Sequence, residues 1–122
     1  MVFQYILGNL LASNDKAVGV LFLDDRGETV DLACSEFSHY EMRVIGAYLG
    51  IYLRRIEKIL TSSDLGEPRM IHIEKQAVHI YALPMPDGYY LALVQRHPAL
   101  VGRTRQSLQD AADQLQAELF PD

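Results

Sequence analysis

The side chains of this 122-residue chain best placed to do chemistry are two histidines. Ile71-His72-Ile73-Glu74 and Val78-His79-Ile80-Tyr81 alternate like two strands of a hairpin. A turn at Lys75-Gln76 pairs Ile73 with Val78 and Ile71 with Ile80. It sets His72 against His79 and Met70 against Tyr81, with Glu74 on the histidine face. Imidazoles on facing strands could share a zinc or nickel ion. A structural zinc site takes four protein ligands, however, and the single cysteine, Cys34, is distant in sequence. The pair therefore reads as a polar patch or as rings packed on Tyr81, and no metal is assigned.

Other reactive residues point to structure rather than catalysis. Cys34 has His39 five residues later, but a nucleophile needs a base in reach and a third group to orient that base. A cysteine at a strand end behaves as a small hydrophobe. Asp24 and Asp25 precede Arg26-Gly27 and read as turn formers. The chain lacks a G-x-x-x-x-G-K-[ST] phosphate loop. Gly102-Arg103 lies near a helix start and could attract an anion, although tight helix–sheet packing is the simpler reading. No catalytic residue and no cofactor is assigned.

Composition narrows the function further. Net charge is −5 and no Lys/Arg run stands out, which argues against nucleic-acid binding. A hydrophobic fraction of 49% with 22% charged residues is ordinary for a globular protein. No apolar run approaches the ~20 residues that span a bilayer, so no membrane insertion is expected. One cysteine fits a reducing compartment, and Met1-Val2-Phe3-Gln4 lacks the basic start of a signal peptide. The expectation is one cytoplasmic domain covering residues 1–122.

The elements that must position these residues follow from periodicity. Phe3, Ile6, Leu7, Leu10 and Leu11 recur at helical spacing over residues 2–13. Ala17 to Asp24 is almost continuously apolar, as in a strand buried on both faces. Glu28 to Cys34 alternates, like a partner strand nearer an edge. Ser38-His39-Tyr40-Glu41 is a capping box opening a helix over about 39–60. Thr61-Ser62-Ser63-Asp64 and the following Leu65-Gly66-Glu67-Pro68 break it. Strands at 69–74, 78–83 and 89–96 follow, with Pro84–Gly88 as a wide turn. Pro98 sits where a final helix can start, with Leu100, Leu108, Ala111, Ala112, Leu115 and Leu119 as its stripe. The fold class is α+β: a five-stranded antiparallel sheet between one long helix and two terminal helices.

The long helix carries surplus apolar surface. At about 100° per residue, Met42, Leu53, Leu60, Leu49, Ile56, Ile45, Tyr52, Ile59, Tyr48, Val44 and Ile51 fill one arc of roughly 200°. A stripe of about 100° docks a helix on a sheet, so the Tyr48, Val44 and Ile51 side needs a second chain. Gly46 and Gly50 lie beyond the other border beside Arg43 and Arg54, as a shallow notch for another backbone.

Taken together, Gly19-Val20-Leu21-Phe22-Leu23-Asp24 through Gly27-Glu28, Ile71–Glu74 through Ile80–Leu83 and Asp87–Leu91, and Ala99–Arg105 through Leu108 resemble the Roadblock/dynein light-chain family, including its bacterial MglB-like regulators. The resemblance runs over about residues 3–119. It implies homo- or heterodimers with paired long helices and third strands joined into one sheet. It also implies binding to Ras-like small GTPases, whose hydrolysis MglB-like members accelerate without donating an arginine finger. The paired helices would place Val44, Tyr48, Ile51, Tyr52 and Arg55 at the seam. The face made of Arg43, Gly46, Ala47, Gly50 and Arg54 is the candidate docking platform. The reading is a dimeric GTPase regulator or scaffold, pairing with itself or a paralogue. A small-molecule sensor with a profilin- or PAS-like sheet is the alternative, and it needs a pocket between sheet and helix.

Overall fold

The seven apolar residues Ala17–Leu23 form β1, whose side chains alternate between two cores. A computed structural model of the chain describes residues 2–61 and 64–120. Around β1 the order is α1 (Val2–Ser13), β1, β2 (Thr29–Cys34), α2 (His39–Thr61), β3 (Ile71–Glu74), β4 (Val78–Pro84), β5 (Tyr90–Arg96) and α3 (Val101–Leu119). The strands make one antiparallel sheet in the order β2-β1-β5-β4-β3. This is the expected α-β-β-α-β-β-β-α arrangement.

On one face Val20, Phe22, Leu91, Leu93 and Tyr81 meet Ile6, Leu7 and Leu10 of α1 and Leu108, Ala111 and Leu115 of α3. On the other, Leu21, Leu23, Leu32, Tyr90 and Ala92 meet Met42, Leu49 and Leu53 of α2. The α2 backbone lies nearest β1 and β2. Toward the β3 edge its cover thins: Ala82 is still buried in the α2 core, whereas Ile71 and Ile80 only pack against its rim.

Local chemistry fixes the joints. Asp24 Oδ1 accepts hydrogen bonds from the backbone N–H groups of Arg26 and Glu28, both at 2.9 Å. Gly27 supplies the positive φ of 80° that the turn requires. At the start of α2 the Glu41 N–H donates to Ser38 Oγ at 3.1 Å, and the Ser38 N–H donates to Glu41 Oε1 at 3.2 Å. The capping box thus forms in both directions.

Three expectations need correction. The β3–β4 register is displaced by two residues: Ile71 pairs with Ala82, His72 with Tyr81, Ile73 with Ile80 and Glu74 with His79. The Lys75 N–H donates to the Val78 carbonyl at 2.8 Å, which moves the turn from Lys75-Gln76 to Gln76-Ala77. A shift of two keeps every side chain on its face, so the alternation alone could not choose. The last helix starts at Val101 rather than at Pro98, and Leu100, expected on its apolar stripe, is an exposed N-cap. Ser62 and Ser63 of the expected break lie outside the described residues.

Candidate interaction surface

The buried residues of α2 are Met42, Gly46, Leu49, Gly50 and Leu53, one face of roughly 100°. Gly46 and Gly50, expected to form an open notch for a partner, are instead the sheet contact. A Cβ built on Gly50 would lie 2.7 Å from the Gly27 carbonyl oxygen and 2.8 Å from its Cα. One on Gly46 would lie 3.0 Å from Thr29 Oγ1 and 3.2 Å from Leu21 Cδ2. The missing side chains let the helix backbone settle on the β1–β2 turn. Of the candidate platform, Arg43, Ala47 and Arg54 remain exposed. The Arg54 guanidinium donates to the Asp25 carbonyl, tying that border to the same turn.

Seating α2 on its glycines turns the tyrosine side outward. Tyr40, Val44, Tyr48, Ile51, Tyr52, Arg55 and Ile59 fall within roughly 120° on the opposite side of the helix. Val44 is 38% exposed, Tyr48 62%, Ile51 50% and Tyr52 54%. Arg55 is exposed among them. A contiguous apolar stripe rimmed by charge is the kind of surface that marks an association site.

The sequence reading missed a second apolar surface beside it. Ile71, Ile73, Val78 and Ile80 are only part-buried. By strand alternation they share the α2 side of the sheet, where Ile71 and Ile80 touch the edge of the α2 core. β3 is the terminal strand of the sheet, so among the described residues one row of its backbone groups has no strand neighbour. The Ile-His-Ile-Glu alternation signalled a half-covered strand; that α2 would stop short of it was invisible to periodicity.

A part-buried polar contact anchors the far end of α2. Tyr90 donates its hydroxyl to Glu57 Oε2 at 2.7 Å. Burial, then the Glu57 hydrogen bond and charge, raise the phenol pKa far above its ordinary value. The link holds the last turns of α2 over β5.

The histidines do meet, on the opposite face of the sheet. His72 Nε2 and His79 Nδ1 are 2.9 Å apart, sharing one hydrogen bond despite the corrected register. His72 stacks on Tyr81 at 4.6 Å between ring centroids, and His97, a neighbour the sequence did not announce, lies edge-on to His79 at 4.0 Å. Burial, then the charges of His97 and His72, lower the His79 pKa, and Glu74 opposes them. Among the described residues no group of three or more His, Cys, Asp or Glu is arranged to hold a metal ion. Cys34 is part-buried against the α2 core. No helix among the described residues is long and apolar enough to cross a membrane.

No family model matches the sequence. No curated protein matches it either. Solved structures do match its shape. A Roadblock/LC7 domain from Streptomyces avermitilis superimposes with a TM-score of 0.85 at 11% identity, over 95% of this chain and 96% of that one. MglB of Myxococcus xanthus gives 0.86 at 13% identity, over 98% and 95%. An MglB with a tetrameric arrangement gives 0.82 at 13% identity, over 93% and 85%. The chain has the Roadblock/LC7 fold.

Proposed function

We propose that this protein is a dimeric scaffold that binds a Ras-like small GTPase and modulates its GTP hydrolysis. The observation that carries this reading is the stripe Val44, Tyr48, Ile51 and Tyr52, exposed on the helix that the resemblance pairs with a second copy. In the proposed dimer, or in a pair with a paralogue, the two stripes bury one another, with Arg55 within the seam. The free edges of β3 then join, covering Ile71 and Ile73 and satisfying backbone groups that an isolated edge leaves to water. The MglB structure with a tetrameric arrangement is a case of the fold in a multi-chain assembly.

The GTPase meets the assembled pair beside the seam. α2 carries Arg43, Arg54, Arg55 and Lys58 against Glu41 and Glu57, on a chain of net charge −5. That local cationic excess suits an acidic partner surface and favours fast, salt-sensitive encounter. Arg43, Ala47 and Arg54 form the docking border; Gly46 and Gly50 serve it from below by setting the helix height. The scaffold acts by holding the GTPase's switch segments in one arrangement, a population shift that needs no catalytic residue of its own. We assign this role to the cytoplasm.

Affinity measurement tests the reading. The protein is titrated against the small GTPases of its own organism, each loaded with GDP or a non-hydrolysable GTP analogue. A preference of about tenfold or more for one state is expected, equivalent to about 1.4 kcal/mol of differential binding. Equal binding to both states, or none, contradicts the regulatory role.

A further inference from the structure

A groove of about 400 Å³ runs between the first turns of α3 and the chain leading into β3, on the side of the sheet opposite α2. Gly102, Arg105, Gln106 and Gln109 line it from one flank of α3, at the three- and four-residue spacing of a helix face. Arg69 lines it from the β3 side. Its apolar floor is Met70 and Leu83, which belong to the core under α1 and α3.

The charges on this groove are unbalanced. Arg69 and Arg105 are both exposed, and no Asp or Glu is among the lining residues. Among the described residues the ion pairs are His79–Glu74 and Arg96–Glu36, so neither arginine of the groove is in one. The next acids along α3 are engaged by amides: Gln106 Nε2 donates to Asp110 Oδ1 at 2.9 Å, and Gln109 Nε2 donates to Asp113 Oδ1 at 3.0 Å. Burial raises the Tyr81 pKa, the Arg105 charge opposes that rise and Glu74 adds to it, so the Arg105 side chain lies on the β4 side of α3. Gly102 leaves its end of the groove open. A Cβ there would meet nothing within 4 Å, so close helix–sheet packing does not account for the glycine. On a chain of net charge −5, two unpaired guanidiniums beside an apolar floor stand out.

A guanidinium holds a carboxylate through a planar fork of N–H donors, and arginine clusters recur as readers of acidic segments. An open groove suits a stretch of chain better than a small molecule, which needs enclosure on most sides. We propose that this groove docks an extended acidic segment of a partner protein, with carboxylates on Arg69 and Arg105 and an apolar side chain between them on Met70 and Leu83. The site lies across the sheet from the α2 stripe. It therefore stands apart from the GTPase reading and leaves α2 free for another partner.

Fluorescence anisotropy of the full chain with a set of short labelled peptides tests this. The probes carry two glutamates around a leucine or phenylalanine; the controls carry glutamine in place of glutamate. The acidic peptides are expected to bind at low ionic strength and to weaken as salt is raised. The glutamine peptides should bind at least about tenfold more weakly. Arg69→Gln and Arg105→Gln should each weaken the acidic peptides about fivefold without moving Tm, since both residues are exposed. Arg26→Gln, which removes the same charge from the exposed β1–β2 turn, should leave binding unchanged. The proposal is overturned if no acidic probe binds, if the glutamine peptides bind as tightly, or if Arg69→Gln with Arg105→Gln keeps full affinity. Displacement of the peptide by an equal concentration of inorganic phosphate overturns it in favour of a small-anion site. Tighter binding to vesicles of anionic lipid overturns it in favour of a membrane surface.

Discussion

On its inner side α2 comes so close to the β1–β2 turn that Gly50 has no room for a methyl group beside Gly27. On its outer side, half a turn away, Tyr48 and Tyr52 are more than half exposed. The same helix is sealed by backbone contact on one face and left open by its largest side chains on the other. The two are linked, because a helix seated on glycines must present its next-largest surface outward. One face stabilises the subunit; the other is available for assembly. Substitutions on the two faces should therefore separate folding from association.

The largest effect is expected on the open face. Tyr48→Glu combined with Tyr52→Glu should raise the dimer dissociation constant about 100-fold or more, close to 3 kcal/mol, by placing charge in an apolar seam. Sedimentation equilibrium reads it, and the urea midpoint of the monomer should scarcely move. Gly50→Ala inverts the pattern. Its Cβ would strike the Gly27 backbone, and overpacking of that kind costs about 2 kcal/mol. That outweighs the ~1 kcal/mol that alanine ordinarily adds inside a helix. Gly8 is the matched control: it lies within α1, and a methyl group added there would meet nothing within 4 Å. Gly8→Ala should therefore stabilise by about 1 kcal/mol in the same urea assay.

The smallest effect is a pH dependence on the histidine side of the sheet. His79 has its pKa lowered in the folded state from 6.5, so below that value the unfolded chain binds the proton more readily. Stability should be unaffected above pH 6.5, should decline as the pH falls from there toward the lowered folded value, and should level off below it. His79→Gln should flatten that decline in a Tm-against-pH series. Tyr48→Glu with Tyr52→Glu should leave its shape intact, since those residues lie on the other side of the sheet.

Much of this was legible in the chain. The Ser38–Glu41 box located the start of α2, the continuous run Ala17–Leu23 marked a strand feeding two layers, and Asp24 with Gly27 marked the turn. The exposed stripe was also visible, because tyrosines and isoleucines at helical spacing exceed what one sheet covers. The glycines were misplaced for a physical reason. A projection by hydrophobicity gives Gly46 and Gly50 no weight, whereas close backbone packing is their use. The cavity between the end of α1 and the start of α3 was out of reach, since it depends on Asn14, Gln95 and Arg103 arriving together from three segments. His97 joined the histidine pair through β5 for the same reason: tertiary neighbours leave no periodic trace.

The proposed role depends on the outer face of α2 meeting a second chain. Multi-angle light scattering of the purified protein at roughly ten to fifty micromolar, a range in which even a micromolar dimer is well populated, tests this most directly. It should return twice the mass of the chain, reduced to the single-chain mass by Tyr48→Glu with Tyr52→Glu. A single-chain mass for the unmodified protein, alone and mixed with its paralogues, would contradict the claim.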